Sequence, residues 1–291
     1  MIFPLKTITD IGIGLIFFFY GLKLSPGEFK LGFLNYKVHI VIQLSTFILF
    51  PILGLLTLPF FEEGARSDLW IALFFLGALP STVSSSIVMV SLAKGNLPTA
   101  IFNASLSGLI GIIATPVWLS FFLKKSSEFQ FGEVILKLFL QIILPLIIGL
   151  ILQRFFGEFA RKHSRKLSLL DKTTIVLIVY SSFANSFSSG IFDAVSIAEL
   201  LKMSAFVVIF FFVVYYGIGY VCDLIGFNIR DKITTQFCGT KKSLVHGSVF
   251  VTLIVSDLST QSLFLLPIMI YHAFQLLFTS YKSRVFAEKV Q

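Results

Sequence analysis

Apolar runs of roughly 20 residues follow one another along nearly the whole chain, each long enough to cross a hydrocarbon layer of ~30 Å. No other feature constrains the fold as strongly. Of the 291 residues, 56% are hydrophobic and only 13% are charged, whereas a soluble domain carries about 25% charged residues. Phe occurs 35 times, which suits lipid-facing helices better than a close-packed soluble core. The chain reads as an all-α integral membrane protein.

Hydropathy gives nine candidate spans at 8–23, 37–58, 69–92, 97–123, 132–153, 171–188, 198–222, 232–256 and 260–281. No soluble domain or long linker interrupts them, so residues 1–291 read as one transmembrane domain. The opening "MIFPLKTITDIGIGLIFFFYG" lacks the charged region and cleavage site of a signal peptide and reads as the first retained helix. Basic residues sort by loop. One set holds Lys23, Lys30, Lys37, Lys94, Arg154, Arg161, Lys162, Arg165, Lys166, Arg230, Lys282, Arg284 and Lys289. The other holds Glu62, Glu63, Arg66, Lys124, Lys125, Asp193, Glu199 and Asp257. The richer set marks the cytoplasmic side, which puts the N-terminus outside and the C-terminus inside. The same loops account for the net charge of +8, so no nucleic-acid partner is expected. Cys222 and Cys238 both lie inside apolar runs and give neither a disulfide framework nor metal-ligand spacing.

Two spans are not ordinary lipid-facing helices. Residues 73–92 include Pro80 followed by Ser81, Thr82, Ser84, Ser85 and Ser86. The other, "TTQFCGTKKSLVHGSVFV", carries Gly239, Thr240, Lys241, Lys242, Ser243, His246 and Gly247. Proline or glycine beside a polar cluster at mid-membrane is how a helix breaks, and the freed backbone groups must line a cavity or be buried in protein. Interruptions at matching places of two halves point to a transporter site built from inverted repeats. The halves are 1–123 and 131–285, with four and five spans.

Lys241 and Lys242 sit too far from a span end to snorkel, unlike Lys137 and Lys202, and an intramembrane ionisable residue is a functional candidate by default. Ser84, Ser85 and Ser86 cannot all face one neighbour, because successive helical residues point ~100° apart. In "AIFNASLSGLIGIIATP", Asn103 and Ser107 are i, i+4 neighbours while Ser105 occupies another face. His246, four residues after Lys242, is placed on its face as a neutral, hydrogen-bonded ring. Gln43, Thr82, Phe237, His272 and Gln275 are further candidates.

Absences also count. Every carboxylate is placed at a span end or in a loop, where a sodium or proton site at mid-membrane ordinarily uses one. HExxH, GxxxxGK[ST] and GxSxG are missing, and no nucleophile–base or metal pair is recognisable, so no enzyme and no metal are expected. A retinal-type Schiff base would need a carboxylate counter-ion inside the bundle, so no cofactor is expected either.

The segments "GLKLSPGEFKLGFLNYKVHIVIQ", "LPSTVSSSIVMVSLAKGN", "AIFNASLSGLIGIIATP", "LPLIIGLIL", "FCGTKKSLVHG" and "PIMIYHAFQLL", in that order, resemble the bile acid:sodium symporter family, most closely its SBF-like branch. The resemblance covers nearly the whole chain. It implies a core domain and a panel domain, with two broken helices crossing near the binding site. Bacterial members often have ten helices, and this chain is similar to them from their second helix onward. The implied location is the bacterial inner membrane. Sodium-dependent members carry a glutamate and, four residues later, a glutamine on the second crossover helix. The match puts Phe237 and Lys241 at those positions, and Ser85 and Ser86 at a Ser-Asn pair of the first.

The resulting expectation is a secondary transporter of a small organic anion, working by alternating access, with Lys241, or else Lys242, supplying the charge a bound sodium supplies elsewhere. Burial favours a neutral amine, so a proton is a candidate coupled partner. A sodium-coupled bile-acid-like symporter and a non-transporting regulatory protein on the same fold are the alternatives. Besides the anion and the proton, membrane lipid is the expected partner.

Overall fold

The computed structural model describes residues 3–23, 34–61, 67–123, 131–189, 195–255 and 258–289, and every regular element among them is a helix. Of the loop charges used for orientation, Lys30, Glu62, Glu63, Arg66, Lys124, Lys125, Asp193 and Asp257 lie outside the described residues.

The helices in order are α1 (Phe3–Lys23) and α2 (Tyr36–Leu44, a π-turn at Ser45–Leu49, then Phe50–Leu56). Then come α3 (Asp68–Ala78), α4 (Ser84–Leu92) and α5 (Leu97–Leu123). Next, α6 runs through Phe131–Leu138, a π-turn at Phe139–Ile143, and Leu144–Lys162, followed by α7 (Ser164–Ser189) and α8 (Ile197–Ile225). The last are α9 (Ile229–Gly239), α10 (Leu244–Ile254) and α11 (Leu258–Lys289). Six of these are long and apolar enough to cross a membrane: α2, α5, α6, α7, α8 and α11. The three other spans read from sequence correspond to α1 and to the broken pairs α3/α4 and α9/α10.

The chain forms two compact units. The first comprises Met1–Pro26, Leu123–Ala194 and Ser248–Ser262. Here α1 and α6 approach backbone to backbone, because Gly21 faces Leu146 O and Gly149 faces Phe18 O with no room for a Cβ. Helix α7 begins at Ser164, seven residues before the span read from sequence. Asp171 therefore lies two turns inside a helix rather than at its start, where Lys23 Nζ meets it at 3.8 Å.

The second unit comprises Gly27–Phe122, Val195–Gly247 and Leu263–Gln291. Its helix α3 is buried along its entire length from Leu69 to Ala78, which explains an apolar run with no polar face. Helix α9 starts at an anchored corner. Asn228 caps it by accepting from Asp231 N at 2.9 Å, and Asp231 Oδ1 accepts from Asn35 and Asn96 side chains at 2.8 Å each.

Candidate functional site

Both expected breaks are present, and they touch. Helix α3 stops at Ala78 and α4 begins at Ser84, while α9 stops at Gly239 and α10 begins at Leu244. Ser243 N donates to Pro80 O at 2.9 Å, and Ser81 Oγ donates to Cys238 O at 2.6 Å.

The end of α3 exposes carbonyls that no helical N–H reaches, since the last turn always leaves such groups. Four carbonyls at this break find partners. Gly77 O and Leu79 O accept from Lys242 Nζ at 2.7 Å each, Ala78 O from Thr115 Oγ1 at 2.8 Å, and Pro80 O from Ser243 N. Ser81 N, freed from helix, donates to Ser107 Oγ at 2.9 Å. Across the second break, Gly239 O accepts from Ser45 Oγ at 3.2 Å and Thr240 O from Tyr271 OH. Thr240 Oγ1 donates back to Gln236 O at 2.6 Å. Gln275 serves both backbone groups of Lys242, accepting its N–H and donating to its carbonyl at 2.9 Å each. Buried backbone groups require such partners, and here side chains from α2, α5 and α11 supply them.

The two lysines are both 0% exposed, yet differ in what holds them. Lys242 Nζ makes three hydrogen bonds, to Gly77 O, Leu79 O and Thr46 O (2.9 Å), and lies 4.1 Å from the centroid of the Phe50 ring. Among the described residues Lys241 Nζ makes one, to Ser85 O at 2.7 Å. Among the described residues neither has a carboxylate within ion-pair distance. The expectation that His246 shares the face of Lys242 fails, because Lys242 stands in the break and helix resumes only at Leu244. His246 instead contacts Ser243 Oγ through Nδ1 at 2.9 Å.

The remaining candidates divide. Ser86 is fully buried and Ser85 Oγ pairs with Thr82 Oγ1 at 2.8 Å, but Ser84 is exposed and stands apart. Asn103 contacts His39 Nδ1 at 2.6 Å and accepts from Gln43 Nε2 at 3.2 Å. Ser105 is buried and joins none of these hydrogen bonds. Phe237 is buried with its ring 5.8 Å from that of Phe286. His272 pairs with Gln275 at 3.0 Å. Sequence reading did not single out His39, Thr46, Thr115 or Tyr271. His39 and Gln43, one turn apart in "KVHIVIQL", gave a visible polar stripe.

The profile of the SBF-like CPA transporter family matches residues 1–288. The chain is 32% identical to an uncharacterized Pseudomonas aeruginosa protein, over 97% of this chain and 85% of that one. It is 30% identical to YfeH of Escherichia coli K12, designated a candidate symporter, over 98% and 86%. With sodium/bile acid cotransporter 7 of Rattus norvegicus it shares 29% identity over 95% and 83%.

Proposed function

We propose that this chain, which belongs to the SBF-like CPA transporter family, is a secondary transporter that moves a small organic anion by alternating access and without a bound sodium. The family is one of transporters, not enzymes. One observation carries the reading: two lysine side-chain nitrogens stand where two helix breaks meet, held by neutral acceptors and faced by no carboxylate among the described residues. Such a place favours an anion. Lys241 is the recipient, because among the described residues its Nζ donates to Ser85 O alone, whereas Lys242 Nζ is engaged by three carbonyls.

The nine spans then form two inverted repeats over 1–123 and 131–285 of a single transport domain. The pairs α3/α4 and α9/α10 act as crossover helices, and the second unit as the core that carries the site. Ser85, Ser86, Thr82, Thr240 and Ser243 line the approach to Lys241, and Asn103, Gln43 and His39 form a supporting polar chain. The proton is the candidate coupled ion. The basic loops orient the chain in a bacterial inner membrane with its C-terminus cytoplasmic.

Uptake into proteoliposomes of carboxylate, sulfonate and sulfate-ester anions, bile acids among them, tests this at several pH values, with sodium replaced by a bulky organic cation. One anion class should be taken up without sodium. Lys241→Gln should weaken it about 10- to 100-fold, the equivalent of one charge-assisted hydrogen bond. Uptake that survives Lys241→Gln unchanged, or that requires sodium, overturns the reading.

A further inference from the structure

We propose that the carbonyl cage around Lys242 is a monovalent-cation site whose resident cation is the protein's own ammonium. If the side chain is removed, the cage takes an alkali cation from solution.

The cage is set by sequence before the lysine enters it. In α2 the Phe50 N–H reaches back to Ser45 O, which closes a π-turn. Its ordinary helical acceptor, Thr46 O, is thereby left over. Pro51 follows and has no N–H, so Thr46 O has no π-type donor and Phe47 O has no α-type donor. Trp118 Nε1 takes Phe47 O at 2.9 Å, and Lys242 takes Thr46 O. On α3, Gly77 O loses its donor because Ser81 N turns to Ser107 Oγ. Gly77 also has the Phe50 backbone against it, where an added Cβ would lie 3.0 Å from Phe50 O. That closeness brings the end of α3 beside the π-turn. Three carbonyl oxygens from two helices so converge on one point.

The surroundings specify a single charge. A helix C-terminus carries about half a negative charge, and the Phe50 ring face adds a quadrupole that attracts cations. Carbonyl dipoles of this sort replace the hydration shell of an alkali ion in selectivity filters. Divalent ions are held through carboxylates, and none among the described residues forms an ion pair here. Three acceptors match the three N–H bonds of one ammonium. Lys242 is thus a tethered ion, always present at high effective concentration. Its tether is held at both backbone groups by Gln275. Contacts between the π-turn of α2, the end of α3 and the second break therefore persist without any external ion. The assignment is independent of what the chain transports.

The test is thermal unfolding of the purified, detergent-solubilised protein in sodium, potassium or N-methyl-D-glucamine chloride at equal ionic strength. The wild type should give the same Tm in all three. Lys242→Ala should have a lower Tm in N-methyl-D-glucamine and regain several degrees, saturably, in sodium or potassium, because a ligand that binds only the folded state stabilises it. Methylammonium should substitute for the alkali ion. Lys241→Ala should show no such recovery. Lys242→Met keeps the stem volume and bares the same carbonyls, so it should respond to cations in the same way if the alanine variant does not fold. A wild-type Tm that rises specifically in sodium overturns the proposal even if neither variant can be purified. So does a folded Lys242 variant indifferent to alkali ions. Loss of anion uptake alone bears on the transport reading and leaves this result intact.

Discussion

Gln275 and Lys242 are joined through the lysine backbone, not its charge: the amide oxygen accepts the Lys242 N–H and the amide nitrogen donates to the Lys242 carbonyl, both at 2.9 Å. The amide replaces the two helical partners that the break removes. Gln275→Ala should leave two buried backbone groups without partners, at about 1–3 kcal/mol each. A stability loss on the order of 2–6 kcal/mol is expected in equilibrium unfolding. Gln275→Glu keeps only the acceptor and should fall between alanine and wild type. An alanine variant as stable as the parent would show that water serves these groups equally well.

Ser81 ties the first break to the second, and its two bonds separate by substitution. Ser81→Ala removes the hydroxyl donor to Cys238 O but keeps the N–H bonded to Ser107 Oγ. Ser107→Ala does the reverse. Each should cost about 1–2 kcal/mol. Because both act on the position of one residue, the double variant should lose less than the sum, with a coupling above ~0.5 kcal/mol. Strict additivity in the double-mutant cycle would mean that the breaks are held independently.

The breaks themselves were legible in sequence. Pro80 and Gly239 each stand beside a polar cluster in an otherwise apolar run, and lipid leaves few explanations for that pattern. The division of labour between the two lysines was not legible. Helical phase predicts neighbours only while the helix continues, and residues 241–243 are outside it, so the pairing of Lys242 with His246 could not hold. The resemblance singled out Lys241 by alignment to a side-chain ligand. The three acceptors around Lys242 are instead backbone carbonyls, which carry no residue signature. Their only trace is indirect, in Pro51 and in the ends of α3. Ser84 illustrates the opposite limit: composition grouped it with Ser85 and Ser86, whereas the geometry of α4 turns it outward.

Two glycines give opposite expectations for the same substitution. An added Cβ at Gly111 would lie 2.6 Å from Pro80 Cβ and Cγ, a rigid ring at the break. Gly111→Ala should destabilise by about 1–3 kcal/mol, as overpacking does, and should depress anion uptake by displacing Pro80. Gly217, inside α8, has nothing within 4 Å of the added atom. Gly217→Ala should be neutral or more stable by up to ~1 kcal/mol, the difference in helix propensity. Paired Tm measurements check both, and a tolerated Gly111→Ala would mean that Pro80 moves freely.

Pro51 offers the most direct test of whether the π-turn belongs to α2 alone or to the cage. Judged by α2 in isolation, Pro51→Ala should help, because a proline inside a helix costs ~3 kcal/mol or more. In the folded unit the new N–H competes with Trp118 Nε1 for Phe47 O. Regular α geometry would also return the Phe50 N–H to Thr46 O and so withdraw one of the three acceptors of Lys242. A buried ammonium short of one partner and an indole short of its acceptor each cost about 1–3 kcal/mol. The tertiary losses therefore match or exceed the local gain, and Pro51→Ala is expected to be no more stable than the parent. The indole change has its own readout. The chain has 2 tryptophans, so in a Trp70→Phe background the emission of Trp118 should shift when Pro51 is replaced. A clearly stabilised variant with unchanged Trp118 emission would place the origin of the π-turn in α2 itself, and the free Thr46 carbonyl would then be incidental to Lys242.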